Sequence, residues 1–133
     1  MNTFTAEVKK IDSVDNLTIV KFDFDGVALS MMSLELNSSV KVGANVKLST
    51  KPTHVAIAKA FGGEVSYSNQ LPAKILHVEN GELLSSITLQ VKSTILESII
   101  TRESSQRMSL HVGDEVTAFI KANELSVLEI LND

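Results

Sequence analysis

The chain opens on a strict alternation. Phe4, Ala6 and Val8 fall on one side and Thr5, Glu7 and Lys9 on the other, the two-residue period of a strand with one face buried. The period returns at Val20, Phe22 and Phe24 against Lys21, Asp23 and Asp25. Between the two runs, Asp12-Ser13-Val14-Asp15-Asn16 has the composition of a turn. Asp25-Gly26 is a strong hairpin signal, and Val27-Ala28-Leu29 reads as the returning strand. Met31 to Ser39 has no clear period and is expected to carry a short helical turn. Val42-Gly43 ends it. Val46-Lys47-Leu48 and Val55-Ala56-Ile57-Ala58 read as further short strands. Lys51-Pro52-Thr53-His54 separates them, and its proline implies a bend or a strand edge. Ala60-Phe61-Gly62-Gly63-Glu64 reads as a linker, its two glycines permitting a sharp change of direction.

Beyond the linker the pattern begins again. Asn69-Gln70-Leu71-Pro72-Ala73-Lys74-Ile75 lies over Asn2-Thr3-Phe4-Thr5-Ala6-Glu7-Val8, an offset of 67 (69 − 2), and Ile87, Leu89 and Val91 lie over Val20, Phe22 and Phe24. Val112-Gly113 lies over Val42-Gly43 and Lys121 over Lys51, an offset of 70 (121 − 51). The second copy therefore carries three extra residues. They are expected in or beside its hairpin turn, near Lys92-Ser93-Thr94-Ile95, because turns absorb insertions at little cost. A duplicated module of about five short strands with tight turns predicts an all-β protein. The expected architecture is two tandem OB-like small antiparallel barrels with a short helical turn in each. The first repeat would occupy 1–61, and the linker and second repeat 62–133. Modules this small have marginal cores alone, so the two are expected to pack on each other or on other subunits.

Composition narrows the function. The 133 residues are 44% hydrophobic and carry a formal net charge of −4, with no cluster of lysine or arginine. A nucleic-acid surface would ordinarily show a basic patch, and an OB-type single-strand binder would show stacking aromatics. Here there are no Trp, one Tyr and five Phe, and most of those Phe are at predicted core positions. No nucleic-acid partner is expected. No apolar run approaches the length of a membrane span, and no basic segment followed by an apolar core marks a signal peptide, so a cytoplasmic protein without a membrane partner is expected. The absence of cysteine excludes disulfides and thiolate chemistry. His54, His77 and His111 stand apart without metal-ligand spacing. Glu7, Asp23 and Asp25 fall on predicted solvent faces. No nucleophile elbow, P-loop or dinucleotide fingerprint is present. The chain is expected to bind rather than catalyse, with no organic cofactor and no direct cation site.

Two stretches recur in register and carry hydrogen-bond donors. One is the entry to each copy: Asn2-Thr3, and Ser66-Tyr67-Ser68-Asn69-Gln70. The other is a lysine followed by small or hydroxylic residues: Lys51-Pro52-Thr53, and Lys121-Ala122-Asn123. Hydroxyl, amide and ammonium donors near exposed backbone N–H groups suit a tetrahedral oxyanion. Spacing alone leaves plain loops beside a strand-end lysine as an alternative.

At these residues the sequence resembles the molybdate-binding Mop or TOBE family in its tandem di-Mop form. The family signature Ser-Ala-Arg-Asn-Gln plus an apolar residue is matched by Ser66-Tyr67-Ser68-Asn69-Gln70-Leu71. The signature Ile-Lys-Ala-Ser is matched by Ile120-Lys121-Ala122-Asn123, and an Ile-Thr-x-x-Ser element by Ile100-Thr101-Arg102-Glu103-Ser104. The second copy also resembles the C-terminal half of the molybdate-responsive transcription regulator. The resemblance implies OB-like barrels that trade strands, a homo-oligomer (a trimer for di-Mop chains), and non-catalytic binding of molybdate or tungstate for intracellular storage. The alternative it leaves is an oxyanion-sensing regulatory or interaction module without a DNA-binding domain. The implied ligand-binding residues are Ser66, Ser68, Asn69, Lys121, Ala122 and Asn123, joined by Lys51, Thr53, Thr101 and Ser104. Ser68 stands where the family keeps arginine, and Asn123 where it keeps serine.

Overall fold

A computed structural model describes residues 1–131 of the chain; residues 132–133, the end of the second repeat, lie outside the described residues. Among the described residues the alternating segments form ten strands: β1 (Asn2–Val14), β2 (Leu17–Phe24), β3 (Val27–Ser33), β4 (Asn45–Thr50), β5 (Ala56–Lys59), β6 (Asn69–Asn80), β7 (Leu84–Val91), β8 (Thr94–Thr101), β9 (Glu115–Ile120) and β10 (Ser126–Ile130). One α-helix, α1 (Arg102–Arg107), follows β8, and a 3-10 turn precedes the last strand of each copy, at Pro52–His54 and Ala122–Glu124. Burial follows the sequence period: in β1 and β6 the residues from Phe4 to Val8 and from Leu71 to Ile75 alternate between core and surface.

Ten strands make two antiparallel sheets of five, ordered β10-β4-β1-β2-β3 and β5-β9-β6-β7-β8. Each sheet thus takes its outer strand from the other copy. β5 belongs to the first copy in sequence but pairs with β9, with Ala56 opposite Phe119. β10 pairs with β4, with Ser126 opposite Ser49. The exchange is reciprocal, so the copies are bound by main-chain hydrogen bonds as well as by apolar contact. The core is accordingly a single cluster reaching from Phe4 to Leu125 through both copies.

The long first strand of each copy bends at a bulge, between Val8 and Lys10 in β1 and between Ile75 and His77 in β6. The bend is held from outside in the same way twice. Gly43 N–H donates to Val8 O at 2.8 Å and Gly113 N–H to Ile75 O at 2.8 Å. Both glycines have φ near +90°, a backbone that residues with a Cβ rarely adopt.

Two local expectations are corrected. The hairpin turns are of equal length, since Phe24 pairs with Val27 and Val91 with Thr94. The three extra residues therefore fall beyond β8, in the α1 connection, where they complete a helical turn that the first copy lacks. Met31–Ser39 holds no helix: β3 runs to Ser33 and turns and bends follow. The short helical turn present in both copies is the 3-10 turn after the lysine.

Lys59 anchors the exchanged β5. Its ammonium donates to Met108 O at 3.1 Å and Ser109 O at 2.8 Å, where α1 ends, and lies 3.2 Å from the Asp114 carboxylate. The His111 main-chain N–H, donating to Asp114 at 2.8 Å, holds that carboxyl below its ordinary range, against partial desolvation and with help from Lys59. Because the folded-state value is depressed, the contribution is complete above about pH 4, the ordinary aspartate value, and is lost as pH falls through the depressed one. Asp114→Asn is expected to lower the melting temperature at pH 7 and to differ less from the parent at pH 3. Thermal melts at the two pH values check this.

Candidate functional site

The two 3-10 turns have one conformation and lie against each other. Each begins on an extended lysine, Lys51 at φ −73°, ψ 144° and Lys121 at φ −69°, ψ 149°. Lys51 O accepts from His54 N–H and Lys121 O from Glu124 N–H, both at 2.9 Å. His54 and Glu124 occupy the same place in the two copies, 70 residues apart, and meet side chain to side chain: His54 Nε2 lies 3.7 Å from Glu124 Oε2. The turns are also tied down across the copies. Thr50 Oγ1 donates to Glu124 O at 2.9 Å and Ser98 Oγ to Val55 O at 2.5 Å.

The β6–β9 ladder brings the two donor-rich stretches of the second copy together. Its last pair is Asn69 with Ile120, so Ser68 and Lys121 leave the ladder from facing ends. Ser66 and Ser68 are exposed. Between them the Tyr67 ring stacks on Phe119, with centroids 5.3 Å apart and planes 25° apart. Gln70 Nε2 donates to Tyr67 O at 3.0 Å and fixes the loop.

A cleft of about 270 Å³ opens at this junction. Lys121, Tyr67, Thr53, His54 and Glu124 supply its polar lining, and Ile99 and Ile100 part of its apolar wall. It draws on both turns, the donor loop and β8. A cleft of about 310 Å³ occupies the equivalent place in the other copy. It lies between the segment after β3 and β10, and Asn123, Ser126 and Ser33 replace Thr53, Ala56 and Ile100. Among the described residues that line it are Glu35 and Glu129, and no lysine, arginine or histidine. The two clefts share a scaffold and differ in charge.

The remaining candidates are dispersed. Asn69 is completely buried: its Oδ1 accepts from Ser30 N–H at 2.6 Å and its Nδ2 donates to Ser30 O at 3.0 Å. Asn2 does the same to Glu97, both bonds at 2.8 Å. Each asparagine thus closes onto the third strand of the opposite copy. Thr101 and Ser104 belong to the helix cap. Thr101 Oγ1 accepts from Ser104 N–H at 3.1 Å, Ser104 Oγ accepts from Arg107 Nη2 at 3.3 Å, and neither lines the Lys121 cleft. Lys51 is exposed at the head of its turn, and Ala122 is half-buried in the other. Sequence reasoning passed over Tyr67, His54 and Glu124. Tyr67 stood between two chosen serines, and the 70-residue offset already matched His54 to Glu124.

Residues 66–127, spanning the donor loop, β6 to β9 and the second turn, match the TOBE domain family. The match covers the second copy of the module. Among curated proteins it is 27% identical over 105 residues to the molybdenum import ATP-binding protein ModC of Brucella abortus, and equally to that of Brucella suis. The match takes in 78% of this chain and 28% of either ModC, so the chain spans roughly a quarter of the length of those relatives. Among solved structures it superposes on the cytoplasmic molybdate-binding protein ModG, in a form with molybdate bound, with a TM-score of 0.88 and 24% identity, covering 94% of this chain and 93% of ModG. That likeness establishes the all-β di-Mop fold. A molybdate-binding protein from Sporomusa ovata is 34% identical over its entire length and half of this chain, with a TM-score of 0.49.

Proposed function

We propose that this protein binds molybdate or tungstate without catalysis, in the cytoplasm, as a store or buffer of the oxyanion. The observation that carries the reading is the cleft joining Lys121 to Thr53, Tyr67 and His54. A tetrahedral dianion needs convergent hydroxyl, N–H and ammonium donors, and these come from elements fixed by the exchanged strands. The family match over residues 66–127 and the ModG-like fold support it. Ser66, Ser68 and Ala122 flank the cleft on the donor loop and the turn and complete the proposed site. The equivalent cleft, with Glu35 and Glu129 and without a cation, is disfavoured for an anion, so one oxyanion site per chain is proposed.

Assembly as a homo-oligomer, a trimer by family resemblance, belongs to the same reading. Strands β3, β8 and β10 are outer strands carrying exposed Met32, Ile95 and Leu128, and apolar edge strands favour association. Calorimetric titration with molybdate and with sulfate, on protein of mass measured by light scattering, tests the proposal. Molybdate is expected to bind once per chain and sulfate much more weakly. Ligand at about a hundredfold over its dissociation constant should add about 2.7 kcal/mol to the stability of the folded state. No heat and no shift in melting temperature at millimolar molybdate would reject it.

A further inference from the structure

We propose that His54 contacts the bound oxyanion from the opposite copy's turn, and that binding takes up a proton on this imidazole. The inference rests on the oxyanion reading of the Lys121 cleft and adds a residue and a linkage to it.

The cleft's peculiarity is a carboxylate. A site made only of donors would suit a dianion, yet Glu124 lines the same wall as Lys121. With a neutral imidazole, the positive Lys121 and the negative Glu124 cancel, and a dianion gains no net attraction from charged side chains. His54 is placed to change that balance. It lines the cleft, its Nε2 is 3.7 Å from Glu124 Oε2, and its side chain retains 36% exposure, so protons reach it. Histidine is the side-chain type whose charge ordinarily changes near neutrality. Once protonated it offsets Glu124 and leaves Lys121 free to act on the anion. A dianion brought beside an imidazole favours the charged ring in turn, and the two effects are reciprocal.

The surroundings leave few other groups to confuse the titration. On the facing turn they are Lys121 and Glu124, and on the loop Tyr67. On its own turn His54 follows the exposed Lys51. On β8, which packs against that turn, the titratable residue is Glu97, whose carboxylate accepts from Ser86 Oγ. The test window, about pH 6.5 to 8.5, is one in which histidine is the side-chain type that ordinarily responds.

The test is calorimetric titration of the full chain with molybdate, itself a dianion throughout this window. It is run at several pH values and in buffers of different ionisation enthalpy. The expected result is an affinity that rises on acidification by up to about tenfold per pH unit, the limit for one proton taken up per anion, with a matching buffer-dependent heat. His54→Gln keeps a donor but cannot titrate, and should bind with an affinity that no longer changes with pH. Glu124→Gln should bind more tightly than the parent at pH 8.5, because a like charge is removed. Denaturation midpoints of both variants report whether they fold. Binding with a flat pH profile and no buffer dependence, or an unchanged slope in His54→Gln, overturns the linkage and leaves the oxyanion site standing. Absence of binding at every pH overturns both.

Discussion

Asn69→Ala is expected to lower the stability of the protein by about 2–4 kcal/mol, because it leaves two buried main-chain groups without partners. Ser30 N–H and Ser30 O both bond to the Asn69 amide, which is completely buried. An unsatisfied buried donor or acceptor costs about 1–3 kcal/mol, and the vacated volume adds to this. Conservative replacement does not escape the penalty. Asn69→Asp retains the acceptor but loses the donor and buries a carboxyl. Asn69→Leu fills the space and leaves both Ser30 groups unpaired. Asn2→Ala removes the equivalent pair of bonds to Glu97, but that contact is only partly buried, so water can replace some of what is lost and the effect should be smaller. Urea denaturation of the two variants checks the order. A lower midpoint at unchanged slope marks loss of stability, not a change in the unfolded chain.

Lys121→Met is expected to weaken molybdate binding by about ten- to a hundredfold, the equivalent of one charge-assisted hydrogen bond of about 1.5–3 kcal/mol. The same change at Lys51 should have little effect. The lysines begin identical turns at equivalent places, so local structure does not separate them. Their surroundings do. Lys121 lines a cleft with Tyr67, Thr53 and His54. Lys51 lines neither that cleft nor its equivalent in the other copy. Both lysines are exposed, so neither change should disturb folding. Titration of the two variants beside the parent decides the matter. Equal losses at both positions would count against a single site in the Lys121 cleft.

Ser68 bears on the same affinity. It stands at the end of the β6–β9 ladder, facing the point where Lys121 leaves it, in the place where the family signature has arginine. An arginine there would add a forked donor and a second fixed charge.

How far the chain could be read follows from where each signal resides. The strands of β1, β2, β6 and β7 were visible because alternation is local and each has one face in the core. The hairpin at Asp25-Gly26 was visible because both residues take positive φ, 48° and 90°, which that dipeptide favours. The duplication was visible at both offsets. The insertion was placed wrongly because offsets locate extra residues only between matched positions. The stretch from Val91 to Val112 holds a turn, a strand and a helix, any of which could absorb them. Asn69 illustrates a further limit. The motif showed that an asparagine stands at the strand entry, but an exposed donor and a buried clamp look identical in sequence. What separates them is the main chain of Ser30, 39 residues away.

Local periodicity and internal repetition thus determined, from sequence alone, the all-β class, the two copies and the pair of lysine turns, because each depends on residues near in sequence or on comparison of one copy with the other. Only the tertiary structure decided which sheet receives β5 and β10, since a short strand with an apolar face can pair with either neighbour and the choice lies in long-range register. That exchange sets the turns of the two copies side by side. From it follow the His54–Glu124 contact, a cleft shared between copies, and the difference in charge between two clefts that repetition alone would make equal.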